Sequence, residues 1–161
     1  MRPDFSTIFN KTISTCQSDE SYLQYSVREK MLAWVFTFLQ NLQEDEATCL
    51  VITNQSNIQW LRSSSLLILK NNFYQYADEL IFEGTNSGEI QARPFIANYY
   101  KQTLWNAVVS ILYFWSNDKS EHKENTDVMV EKTIHFTFDL LAPSAIDSGI
   151  DLLQNLFKLR K

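Results

Sequence analysis

Glycine and proline are scarce: three of each in 161 residues. Neither occurs anywhere from Asp4 to Glu83. Glycine opens left-handed backbone and proline ends helices, so their absence leaves long stretches with nothing to interrupt a helix. Histidine and cysteine number only two each, with no Cys-x-x-Cys and no Cys/His cluster. A zinc site or a disulfide framework therefore has no ligands to draw on, and Cys16 and Cys49 are expected as reduced thiols. Basic charge is also short, with 14 Lys and Arg against 19 Asp and Glu. A net charge of −5 does not suit direct nucleic-acid binding, which draws on phosphate neutralisation. No run reaches the roughly 20 apolar residues of a membrane span. The opening "MRPDFSTIFNKTIS" carries no apolar signal core, so a cytoplasmic protein without cofactor or metal is expected.

What is present is apolar and helical in period. A 45% hydrophobic and 14% aromatic content can fill one core and argues against disorder. No segment alternates convincingly with period two, so the chain reads as a single all-α domain over residues 1–161. "FSTIFNKTISTC" places Phe5, Ile8, Phe9 and Ile13 on one helical face, and "DESYLQY" reads as a shorter turn or helix. "SVREKMLAWVFTFLQNL" opens with Ser26 and Glu29 at capping-box spacing and buries Met31, Trp34, Val35, Phe38 and Leu42. "ATCLVIT" has strand propensity, yet no neighbour could pair with it, so a short buried helix is expected. A long helical pattern from Ile58 to Glu83 carries Leu66, Leu69, Phe73, Tyr76, Ala77, Leu80 and Ile81, with a break near Ser63–Ser65.

The withheld breakers then cluster in "ELIFEGTNSGEIQARPF". Gly84 is placed as the left-handed residue ending the long helix, Gly88 as a second turn, and "IQARPF" as an extended step. These glycines follow a helix and precede Glu89, so they do not form a phosphate loop. Two helices beyond them are apolar on more than one side. In "NYYKQTLWNAVVSILYFW", Leu104, Val108, Ile111 and Trp115 make one stripe, and Trp105, Val109, Leu112 and Tyr113 a second. In "TDVMVEKTIHFTFDLL", Val130, Ile134, Phe138 and Leu141 oppose Met129, Phe136 and Leu140. Periodicity leaves two explanations open: a central core helix, or one face for the core and one for a partner subunit. A last helix after Pro143 carries Ile146, Ile150, Leu153 and Phe157 and ends in "KLRK".

"LIFEGTNSGEI" resembles the Gly-x-x-x-Gly-Glu-Ile/Phe element that joins two helices in the C-terminal domain of tetracycline-repressor (TetR) family regulators. The run "LYFWSNDKSEHKENTDVMVEKTIHFTFDLLAPSAIDSGIDLLQNLFK" and the start "YSVREKMLAWVFTFLQNL" are similar to a subgroup of such domains. The likeness extends from about Phe5 to Lys158. It implies a helical bundle whose last two long helices form a four-helix-bundle interface with a second subunit. The expected interface residues are Trp105, Val109, Leu112, Tyr113, Met129, Phe136 and Leu140, with the opposite assignment of stripes also open. The family's helix-turn-helix signature is not found, so the resemblance implies effector sensing and homodimerisation. DNA would be reached only through a headpiece that this sequence lacks.

No catalytic constellation stands out: there is no Gly-x-Ser-x-Gly elbow, Cys–His pair or Rossmann glycine pattern. His122 reads as solvated and His135 as a core-edge or interface residue. The aromatic side chains mostly read as core. With the family likeness, Trp34, Phe38, Phe73, Tyr76, Tyr100 and Trp105 become candidates for lining a pocket for a small apolar, aromatic or lipid-like ligand. A stand-alone lipid or isoprenoid binder of the same fold and a purely structural helical dimer are the alternatives.

Overall fold

A computed structural model describes residues 4–54 and 58–158, and the described residues form helices, turns and connecting segments without a strand. Helix α1 (Phe5–Ser18) starts where the Asp4 carboxylate accepts from the Thr7 backbone N–H at 3.1 Å. A 3-10 turn (Glu20–Gln24) leads to α2 (Val27–Glu44). The capping box forms as the sequence anticipates: Ser26 accepts from the Glu29 N–H, and the Glu29 carboxylate accepts from the Ser26 N–H at 2.8 Å. Helix α3 (Glu46–Asn54) is the segment of strand propensity, and it is helical. A 3-10 turn (Ile58–Arg62) and the Ser63 cap then break the chain before α4 (Ser64–Ser87). Helices α5 (Tyr100–Asn117), α6 (Glu124–Leu141) and α7 (Ala145–Lys158) complete the order.

Helix α2 packs against α1, α3, α4 and α6, while α5 lies between α4 and α6. The stripes predicted for α2 and α4 face this core: Met31, Trp34, Phe38, Leu42, Leu69 and Phe73 are all but fully buried. A continuous aromatic file runs through it. Trp34 stacks on Phe38 at 5.0 Å and on Tyr76 at 5.7 Å, and meets Phe9 and Phe73 at 5.8 and 5.2 Å. Phe73 continues the file to Trp105 at 5.7 Å.

One boundary differs from expectation. The helix does not stop at Gly84; α4 runs to Ser87, and Gly88 at φ 83° is its left-handed cap. Gly84 is required for a different reason. A Cβ there would lie 2.7 and 2.8 Å from the Cδ1 and Cγ1 of Ile90 and 3.0 Å from Val27 Cγ2. The chain doubles back over this glycine, and Ile90 fills the space a side chain would take. The return is stapled by the Ile90 N–H donating to Gly84 C=O at 2.9 Å and by Gln91 N–H donating to Leu141 C=O at 2.8 Å.

Arg93, in the extended step, ties down the start of α7. Its guanidinium donates to both Asp147 carboxylate oxygens at 2.7 and 2.6 Å and to the carbonyls of Leu140 and Ala142. This pairing holds the Asp147 carboxyl well below the usual carboxylate range. Of the face expected on α7, Leu153 is exposed, while the side chains of Ile146, Ile150 and Phe157 lie outside the described residues, as does the chain beyond Lys158.

Gly84→Ala tests the doubling-back. Alanine gains about 1 kcal/mol in helix propensity, against an overpacking cost of about 1–3 kcal/mol. A net loss in urea stability is expected, partly restored in Gly84→Ala/Ile90→Val; a simple gain would contradict the close approach.

Candidate effector cleft and outer helical face

The six aromatic candidates for a pocket are core residues. Trp34, Phe38, Phe73, Tyr76, Tyr100 and Trp105 are each at most 8% exposed. Five of them belong to the stacked file, where the rings pack against one another. Tyr100 stands apart, its hydroxyl donating to the Gln91 carbonyl at 2.7 Å and so fastening the return loop. Trp105 also borders a shallow depression of about 350 Å³ with Leu61, Leu66 and Val109.

The roomier concavity opens at the Tyr76 edge of the file. It is a cleft of about 380 Å³ between α1 and α4. Phe9, Ile13 and Gln17 line it from α1 at four-residue spacing, which places them on one side of that helix. Asn72, Gln75, Tyr76, Glu79, Leu80 and Glu83 line it from α4 at spacings of three and four. Tyr22 and Leu23 of the first 3-10 turn and Lys30 of α2 complete the lining. Half the wall is apolar in character and half is polar.

The polar half is ordered. Lys30 is 7% exposed, and its Nζ donates to both Glu83 carboxylate oxygens at 2.6 and 2.7 Å. The same ammonium lies 5.7 Å from the Tyr22 ring centroid, within cation–π range. The hydroxyls of Tyr22 and Tyr76 are 2.7 Å apart. Tyr76 gives its single proton to the Lys30 carbonyl at 3.2 Å, so Tyr22 must be the donor to Tyr76. Tyr22 Oη then retains acceptor capacity only. Burial pushes the Tyr22 phenol up to about 12, with Glu83 and Glu79 adding to the rise, and it raises Tyr76 as well.

Lys30, Tyr22, Glu79 and Glu83 escaped the sequence reading. A signal was available: Lys30 interrupts the apolar stripe of α2 between Val27 and Trp34, and Glu79 and Glu83 are one turn apart beside Tyr76 and Leu80.

The expected interface residues divide in two. Trp105 and Leu112, 5% and 1% exposed, are enclosed within the protomer. Helix α5 is covered by α4 on one side and α6 on another, which accounts for most of its double stripe as core. Val109 and Met129 are half-buried, whereas Tyr113, Phe136 and Leu140 are 48%, 64% and 53% exposed. Thus α6 turns Val130, Ile134, Phe138 and Leu141 inward and its second stripe outward.

His122 is exposed, in a left-handed conformation at φ 49°. His135 is exposed on α6, where its Nδ1 lies 3.1 Å from Arg28 Nη1. Arginine only donates, so Nδ1 is the acceptor in this contact. Cys16 and Cys49 are unbridged. No helix among the described residues is long and apolar enough to cross a membrane, and no group of three potential metal ligands occurs among them.

The family model described as the Tetracyclin repressor-like, C-terminal domain matches residues 30–156. The chain belongs to this family. The match runs from within α2 to within α7 and includes the whole α4 wall of the cleft, while α1 lies ahead of it. No curated protein and no solved structure matches the chain. Domains of this TetR-like type are regulatory, associated with ligand binding and dimerisation, and in general are not enzymes.

The raised phenols give a signed pH dependence. A tyrosine whose folded pKa exceeds its unfolded value of about 10 favours the fold while protonated. Its contribution is complete below pH about 10 and is lost as pH rises through about 12. Urea midpoints should therefore fall across that interval, and fall less steeply in Tyr22→Phe. An identical slope in both proteins would contradict the buried phenol pair.

Proposed function

We propose that this TetR-like domain senses a small ligand in the α1–α4 cleft and dimerises through the outer face of α5 and α6. What carries the sensing reading is the position of the cleft. It lies beside a filled aromatic core rather than within it, and α1 forms one wall. By the family resemblance, α1 takes the place of the helix into which a DNA-reading headpiece leads. A ligand that fits better when α1 and α4 stand at one spacing shifts the population toward that spacing, in proportion to its differential affinity. A coupling of about 1–3 kcal/mol is ordinary for such linkage.

The dimer reading is supported by the apolar residues that α6 turns outward. Phe136 and Leu140, with Val128 at 50% exposure and Tyr113 from α5, leave large apolar groups in water on neighbouring helices. A protomer gains by covering such a face, since each Å² of apolar area removed from water is worth roughly 25 cal/mol. Dimer interfaces of the obligate kind are large and apolar. The interface is thus drawn from Val109, Tyr113, Met129, Phe136 and Leu140, without Trp105 and Leu112.

Light scattering on the eluting protein tests this directly. The wild type is expected as a dimer at micromolar concentration, and Phe136→Asp or Leu140→Asp as a helical monomer. Leu112→Asp is expected to lose the fold, because that residue is inside the protomer. A monomeric wild type, or dimers persisting in both outer-face variants, would overturn the dimer reading.

A further inference from the structure

The chemistry of the cleft wall goes further and, resting on the sensing reading above, specifies the class of ligand. We infer that the α1–α4 cleft selects an organic cation, a protonated amine with a short apolar body, over neutral and anionic compounds of the same shape.

The protein already holds one cation in this place. The Lys30 ammonium lies between the Glu83 carboxylate and the face of Tyr22, the combination of counter-ion and ring by which proteins bind ammonium groups generally. Lys30 spends its charge entirely on Glu83, to which it makes two short bonds. Glu79, one helical turn earlier on α4, lines the same cleft and makes no ion pair or hydrogen bond among the described residues. The wall therefore carries two carboxylates against one ammonium, and Glu79, the one in excess, is exposed.

The two tyrosine hydroxyls lean the same way, whereas the amides of Gln17, Asn72 and Gln75 can donate or accept. The proton chain from Tyr22 to Tyr76 to the Lys30 carbonyl is fully committed, so Tyr22 Oη can accept but not donate. An ammonium finds Glu79 as counter-ion and Tyr22 Oη as acceptor, while Phe9, Ile13 and Leu80 offer its body an apolar wall. An incoming carboxylate or phosphate would find no unpaired ammonium in the wall, only the amide donors of Gln17, Asn72 and Gln75, and would lie beside Glu79. That arrangement costs more than it returns. A neutral molecule would bury its body and leave Glu79 as it was.

Hexylammonium, 1-hexanol and hexanoate share one apolar body and differ in charge. Titrated at neutral pH into the full chain and followed by NMR at the amides of Tyr22, Tyr76 and Glu79, hexylammonium should bind at least about tenfold more tightly than 1-hexanol. Hexanoate should bind most weakly. Glu79→Gln, an exposed position, should bring hexylammonium to within about threefold of 1-hexanol measured in the same variant. Lys30→Met, which frees Glu83, should tighten hexylammonium binding. If that variant does not fold, the Glu79→Gln comparison alone decides. Equal binding of all three compounds, a preference for hexanoate, or an unchanged preference in Glu79→Gln would overturn the cation inference and leave the cleft as a binding site. No response at these amides to any of the three would overturn the cleft reading along with it.

Discussion

The bundle depends on the stack that Trp34 makes with four other rings. Phe9 of α1, Phe38 of its own helix and Phe73 and Tyr76 of α4 all contact it, and Phe73 passes the file to Trp105 of α5. Each such pair contributes about 0.5–1.5 kcal/mol beyond the area it buries. Against this stands the indole N–H of Trp34, which is buried without a partner among the described residues and costs about 1–3 kcal/mol. Four contacts outweigh one unmet donor, so the indole remains at the centre. The proposed functional surfaces are placed relative to that filled centre: the cleft at its Tyr76 edge and the apolar outer face of α5 and α6.

The helical class, the capping box at Ser26 and the inward stripes of α2 and α4 were legible in the sequence, because periodicity and capping are local signals. The break at Ser63 was legible for the same reason. Gly84 was misplaced as a helix end because its constraint is tertiary: only the return of Ile90 over the helix explains it. The double stripe of α5 gave no way to tell core from interface, since both are apolar. The packing of α4 and α6 around it decides the matter for Trp105 and Leu112.

The cleft was the least legible part, for a physical reason. Aromatic residues attract notice as pocket candidates, yet in this domain they fill space by stacking on each other. The cleft's polar wall is built from an ordinary-looking lysine, two glutamates and two tyrosines, of which only Tyr76 stood among the candidates, brought together from three elements. A buried lysine in an apolar stripe is costly unless paired, and that cost is the clue the sequence offered. The stacked core keeps α1, α2 and α4 in place, and the polar groups lie at its edge.

A crystal structure of the protein grown with hexylammonium tests the central claim most directly, namely that the aromatic file is structure and the cleft beside it is the site. The account predicts the amine in the α1–α4 cleft, its nitrogen at Glu79 and Tyr22, with Trp34, Phe38 and Phe73 still in mutual contact. An amine lodged among those three rings, with the stack parted to admit it, would contradict the account.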